Sequence, residues 1–128
     1  MTQIQKRRKY SRDFAHNMAP LRIKAFRNRA MVTRRLDKLG QVRQFRATIE
    51  ERVEELQSGM ANGCRFCGKE FSMDNLRDLT LDHDVPLEKL GEDLIDNIVC
   101  ACRRCNSRKG SKKTGAEFLT QLEMEAAA

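Results

Sequence analysis

The sequence predicts an α+β protein in which an N-terminal helical arm precedes a small strand–loop–strand–helix unit stapled by zinc. Three observations carry that prediction. The first third of the chain is strongly basic and punctuated like a pair of helices, two C-x2-C pairs stand 34 residues apart, and two short strand-like runs lie between those pairs.

The arm comes first. From Met1 to Ile49 there are fourteen basic residues and two acidic ones, Asp13 and Asp37, a local net charge of +12. Ser11 to Gln57 reads as helical, broken by Pro20, Gly40 and the Ser58-Gly59 pair. A first helix is expected over about Leu21 to Leu39, with Ile23, Phe26, Leu36 and Leu39 among its arginines. In the second, Val42, Phe45, Ile49, Val53 and Leu56 recur at steps of three and four and form an apolar stripe. So lopsided a charge balance is unusual for a merely solvated hairpin, and phosphates would relieve its self-repulsion. His16 reads as a surface or DNA-facing residue. Met1 to Lys9 reads as disordered until an anion arrives, and the terminal EMEAAA as a frayed tail.

A length of 128 residues suits one compact domain with an added arm. With 40% apolar residues, no Trp and a single Tyr, its core must be thin, so something besides apolar burial is expected to hold it. No apolar run approaches the roughly 20 residues of a membrane helix, and the basic N-terminus lacks the apolar stretch of a signal peptide. The expected location is therefore cytoplasmic. Thiols stay reduced there, so five cysteines suggest metal ligation before disulfides.

Cys64-Arg-Phe-Cys67 and Cys102-Arg-Arg-Cys105 each let a tight turn aim two thiolates at one ion, and together they make a tetrahedral zinc site. A redox C-x2-C or two buried thiol pairs are the competing readings. Binding worth on the order of 10 kcal/mol would supply the stability a thin core lacks. Cys100, two residues before Cys102, reads as a small buried apolar residue more than as a fifth ligand.

Between the knuckles, Leu79-Thr-Leu-Asp-His83 alternates as a strand, Pro86 to Asp96 is rich in breakers and acids, and Asn97-Ile-Val-Cys100 reads as a second strand. A helix through Asn106 to Lys109, stopped by Gly110, should follow. Polar residues gather at the strand ends: Asp82-His83, Asn97 and Asn106.

Asp82-His83 with Pro86, Asn97-Ile-Val, and Cys102-x-x-Cys105-Asn106 before Lys109-Gly110 together resemble the HNH endonuclease family, built on the ββα-metal motif. The resemblance runs from about Cys64 to Leu119 and does not cover Met1 to Gly59. Asn106 stands where the founding pattern has His. The expected organisation is a basic helical DNA-binding arm over 1–59, an HNH nuclease domain over 60–119 and a tail over 120–128.

The resemblance implies an endonuclease that hydrolyses DNA phosphodiester bonds and leaves a 3′ hydroxyl and a 5′ phosphate. It implies His83 as general base, a role open to neutral imidazole at physiological pH. Asp82 and Asn106 would hold a catalytic Mg²⁺ or Mn²⁺, beside the structural Zn²⁺ of the four cysteines. Asn97 would brace the loop and orient the imidazole, or else simply cap the second strand. Asp82 and His83 must serve one phosphate although strand neighbours face opposite ways, so the strand must end or bulge there. Lys109, one turn beyond Asn106, is expected beside a phosphate, and Arg103, Arg104 and Arg108 either contact backbone or are solvated. The alternatives are a non-catalytic zinc module binding nucleic acid, or a nuclease subunit active only within a phage or restriction assembly. A homodimer would suit a symmetric duplex cut.

Overall fold

The computed structural model describes residues 18–128. The readings on Met1 to Lys9, on Ser11 as a helix start and on His16 lie outside the described residues. The first helix, α1, spans Met18–Lys38, and Gly40 follows it with φ 65°. Its buried stripe is Leu21, Ala25, Val32 and Leu36, stepping by fours and a seven. Of the four apolar residues singled out in the sequence only Leu36 faces inward. Ile23 and Phe26 point to solvent because a turn of 100° per residue puts them roughly 170° and 110° around the helix from that stripe, and Leu39 lies just past the helix end.

Helix α2 spans Ile49–Asn62, so Val42 and Phe45 do not join its stripe and are 97% and 74% exposed. The reason is local. Thr48 and Glu51 form a reciprocal capping box (Glu51 N to Thr48 Oγ1 3.0 Å, Thr48 N to Glu51 Oε1 3.0 Å), which fixes the helix start beyond them. The Ser58-Gly59 pair does not end the helix, contrary to expectation. Gly59 is needed inside it, since a Cβ there would lie 2.4 Å from Cys100 Sγ, and the stop passes to Gly63 at φ 82°.

Strands β1 (Leu79–His83) and β2 (Ile98–Cys102) pair antiparallel, from Leu79 opposite Cys102 to His83 opposite Ile98. The second strand runs one residue later at its start and two later at its end than the sequence suggests. All five residues of β1 find partners, and Asn97 is committed to the loop. Helix α3 (Arg103–Lys109) follows directly and stops at Gly110. Helix α4 spans Gly115–Ala127 behind a second capping box, Thr114 with Glu117. The expected frayed tail is instead the exposed last turns of that helix.

One cluster of buried side chains joins Leu21 and Ala25 of α1, Val53 and Leu56 of α2, Leu79 of β1, Cys100 of β2 and Phe118 of α4. The two helices therefore share a core with the hairpin, although only α1 is basic, α2 carrying four Glu against one Arg. Each buried Leu or Phe in it contributes roughly 1.5–3 kcal/mol. A satellite cluster of Val32, Leu36 and Leu87 packs the far half of α1 under the loop between the strands, beside the end of β1. No described helix is long and apolar enough to cross a membrane.

Candidate metal centre and hairpin-end cleft

The Sγ atoms of Cys64, Cys67, Cys102 and Cys105 lie within 4.8 Å of one another, with Cys67 and Cys102 3.8 Å apart. A tetrahedral ion with 2.3 Å bonds needs sulfurs about 3.8 Å apart, so the four can hold zinc. The first knuckle turns through Gly68 at φ 76°, with Gly68 N donating to Cys64 O, and Arg65 N ties it to Cys100 O of β2. The second knuckle is the N-terminus of α3, where Cys105 N donates to Cys102 Sγ (3.4 Å).

Burial by itself would raise the Cys64 thiol, but the N–H groups of Cys67, Cys102 and Phe66 stabilise its thiolate and bring it down to about 7. Burial pushes Cys102 and Cys105 up. Cys100 stands outside the tetrad. It is buried, donates to Glu55 O (3.0 Å), and its thiol is held well above the ordinary range by that burial.

At the other end of the hairpin, Asp82, His83 and Asn106 line one cleft of about 170 Å³, together with Arg35 of α1 and Glu88. Strand β1 ends at His83, which frees two chain neighbours to face the same space. Asn106 Nδ2 donates to Thr80 Oγ1 (2.9 Å), which donates to Ala101 O (2.7 Å). This occupies the amide nitrogen of Asn106 and leaves its Oδ1 available as an acceptor. Asp82 Oδ2 is buried with the Lys109 ammonium 3.1 Å away, and burial raises the acid's pKa against the pull of that charge.

His83 is 7% exposed, and its Nε2 lies 2.9 Å from Oδ1 of Asp93. Asp93 is fully buried. Its Oδ2 accepts from Arg46 Nε (2.8 Å) and from Arg52 Nη2, and its carbonyl accepts from Ala47 N (2.6 Å). Burial opposes ionisation of Asp93, but hydrogen bonds from His83, Arg52 and Arg46 overcome it and hold its pKa well below the carboxylate range. An ionised carboxylate only accepts, so Nε2 carries the proton and Nδ1 is the basic atom of the neutral ring.

Asn97 spans the loop. Its Nδ2 donates to Val85 O (2.9 Å) and Glu92 O (2.8 Å), Val85 N donates to its Oδ1 (2.8 Å), and Asp84 N donates to its carbonyl (2.8 Å).

Lys109, expected beside a phosphate, is turned inward and is 2% exposed. Its Nζ donates to His83 O (2.8 Å) and lies 3.1 Å from Asp82 Oδ2, because α3 packs that face against the end of β1. It anchors the strand end and has no path to solvent. Arg108 lies over the Phe118 ring and binds both carboxylate oxygens of Glu125 at 2.7 Å, so it too is engaged within the fold. Arg103 and Arg104 are exposed.

The residues that sequence reasoning missed are Asp93, Arg46, Arg52, Thr80 and Arg35. One signal was available. Arg52 falls in step with Ile49, Val53 and Leu56 on the apolar face of α2, and a cation at such a position requires a buried anion. Nothing distinguished Asp93 from the other acids of its loop.

No curated protein and no solved structure matches this chain. The family model for HNH endonuclease matches residues 64–112, which hold both knuckles, both strands and α3, so over this segment the chain carries an HNH endonuclease domain.

Proposed function

We propose that the protein is a metal-dependent endonuclease that hydrolyses DNA phosphodiester bonds and leaves a 3′ hydroxyl and a 5′ phosphate. The observation that carries this reading is the convergence of Asp82, His83 and Asn106 on one cleft within the HNH segment. Asp82 and Asn106 would hold a divalent cation, Mg²⁺ or Mn²⁺. The carboxylate of Asp82, held in place by Lys109, and the pinned carboxamide of Asn106 are oxygen donors of the kind a hard ion takes. Such an ion, when bound, supplies Lewis-acid stabilisation of charge on the phosphate and on the departing oxygen.

The chain's own residues do the rest. Asp93 keeps the Nε2 proton of His83 in place, so Nδ1 takes a proton from water as its oxygen bonds to phosphorus in line with the 3′ oxygen. The phosphorus–O3′ bond breaks, and the 3′ oxygen takes its proton from solvent. Asn97 holds the 85–92 loop at the cleft rim, and Lys109 fixes the backbone of His83 and the carboxylate of Asp82. The zinc knuckles at the opposite end of the hairpin set the angle at which α3 presents Asn106. Exposed Arg103 and Arg104 on α3 are suited to contact the nucleic-acid backbone.

The test is supercoiled plasmid incubated with and without added Mg²⁺ or Mn²⁺. Metal-dependent nicking or linearisation is expected, and His83→Ala should slow it by about 10²–10⁴-fold while DNA binding survives. Undiminished cleavage by His83→Ala would reject this assignment of the base.

A further inference from the structure

The HNH segment begins at residue 64, yet one residue of α1 lines its cleft. Arg35 of α1 stands at the cleft mouth, ion-paired with Glu88. A second groove of about 240 Å³ opens between α1 and the hairpin, with Lys24, Arg27 and Met31 on one side, Leu81 and Thr80 on the other and Asn106 at its end. Asn106 therefore lines both hollows. Lys24, Arg27, Met31 and Arg35 follow one another at steps of three and four, so one side of α1 faces both hollows.

The groove is cationic at its rim. Lys24 has its pKa lowered, first by burial and then by the positive charges of Arg103 and Arg27, so α1 and the start of α3 hold like charges close together. Among the described residues Arg27 forms no ion pair. Away from that rim the groove is apolar, where Met31 and Leu81 line it, and suits the sugar or base edge of a nucleotide more than a second charge. From Lys24 to Arg35 the helix rises about 17 Å, on the order of five nucleotide steps of a DNA strand.

We propose that this groove is the track of the DNA strand to be cut: its phosphates lie on Lys24, Arg27 and Arg103, the chain turns past Asn106 into the cleft, and Arg35 leaves Glu88 to hold the phosphate at the mouth. The proposal rests on the nuclease reading for the identity of the cleft. It differs from a diffuse polycationic arm because only one side of α1 takes part. Arg22 and Arg29 lie roughly 140–160° around the helix from Lys24 and should contribute little.

The test uses the full chain carrying His83→Ala, so that binding is read without cleavage, with fluorescein-labelled DNA and fluorescence anisotropy over a series of salt concentrations. Lys24→Ala/Arg27→Ala should weaken binding and make the slope of log K against log salt shallower by about 1.8, whereas Arg22→Ala/Arg29→Ala, with the same loss of charge, should change it by less than about 0.5. Equal slopes for the two pairs, whether both shift or neither does, would overturn the track. In the otherwise wild-type chain, Arg35→Ala should slow plasmid cleavage at saturating DNA by roughly tenfold or more, the loss expected for a charged hydrogen bond, and an unchanged rate would remove Arg35 from the track. If the wild-type chain binds with the predicted side preference but cuts nothing, the nuclease reading fails and the groove stands as a DNA-binding surface. If it cuts with no side preference, the reverse holds.

Discussion

Asp93→Ala is the substitution from which the geometry predicts most. Asp93 and Arg52 are both fully buried, and the carboxylate also receives Arg46 and His83. Without it, Arg52 keeps only the bond from Nη1 to Asn28 Oδ1 (2.8 Å), and its Nε already has no partner. A buried cation is then left uncompensated, which costs about 3–5 kcal/mol. At roughly 2.1 cal/mol/K of unfolding entropy per residue over 128 residues, that lowers Tm by about 11–19 °C. Calorimetry on the zinc-loaded protein reads the loss directly. The double variant Arg52→Met/Asp93→Leu removes both charges for groups of similar volume, and should recover stability to within about 2 kcal/mol of the parent. Arg46, partly exposed, can turn its guanidinium to water. A loss below about 1 kcal/mol in Asp93→Ala, or a double variant no better than the single, would refute the argument that an unpaired Arg52 is what destabilises.

Three further outcomes are expected. Because the pKa of Asp93 is depressed in the folded state, its contribution to stability is complete above the unfolded-state value of about 4 and is lost as pH falls below it; denaturant titrations across pH 2.5–6 should show that slope in the parent and a flatter one in Asp93→Asn. Gly59→Ala pushes a methyl onto Cys100 and should cost about 1–3 kcal/mol in urea unfolding, with partial relief in Gly59→Ala/Cys100→Ala, since the contacts at 2.4 Å to Sγ and 2.7 Å to Cβ are only half removed. Zinc extraction by a chromogenic chelator should release one equivalent of ion per chain and collapse the near-ultraviolet signal of the knuckles, and Cys64→Ser should release less than one equivalent.

Much of the domain was legible along the chain because its determinants are local. The knuckles carry their turn glycine, β1 carries its alternation, and α3 carries its stop at Gly110, so these elements need no distant partner to be seen. Register errors arose where a non-local contact decided the outcome. Gly59 reads as a helix stop in isolation, yet it lies inside α2 because Cys100, forty-one residues later, leaves no room for a Cβ. The stripe through Val42 and Phe45 has helical spacing, but the Thr48–Glu51 box starts the helix after it.

The sequence by itself determined the chemistry on offer: four thiols in two turns, one imidazole between two carboxylates, a carboxamide on the following helix, and a basic leading segment. Those identities are local, and backbone geometry translates them directly into turns, strands and caps. Only the tertiary structure decided which charges are spent inside the fold and which face outward. Lys109 and Arg52 are as basic in the sequence as Lys24 and Arg27, but the first two are buried against Asp82 and Asp93, while Lys24 and Arg27 rim an open groove. The physical reason is that a charge acquires its role from the dielectric and the partners around it, and these are set by residues remote in sequence that packing brings together.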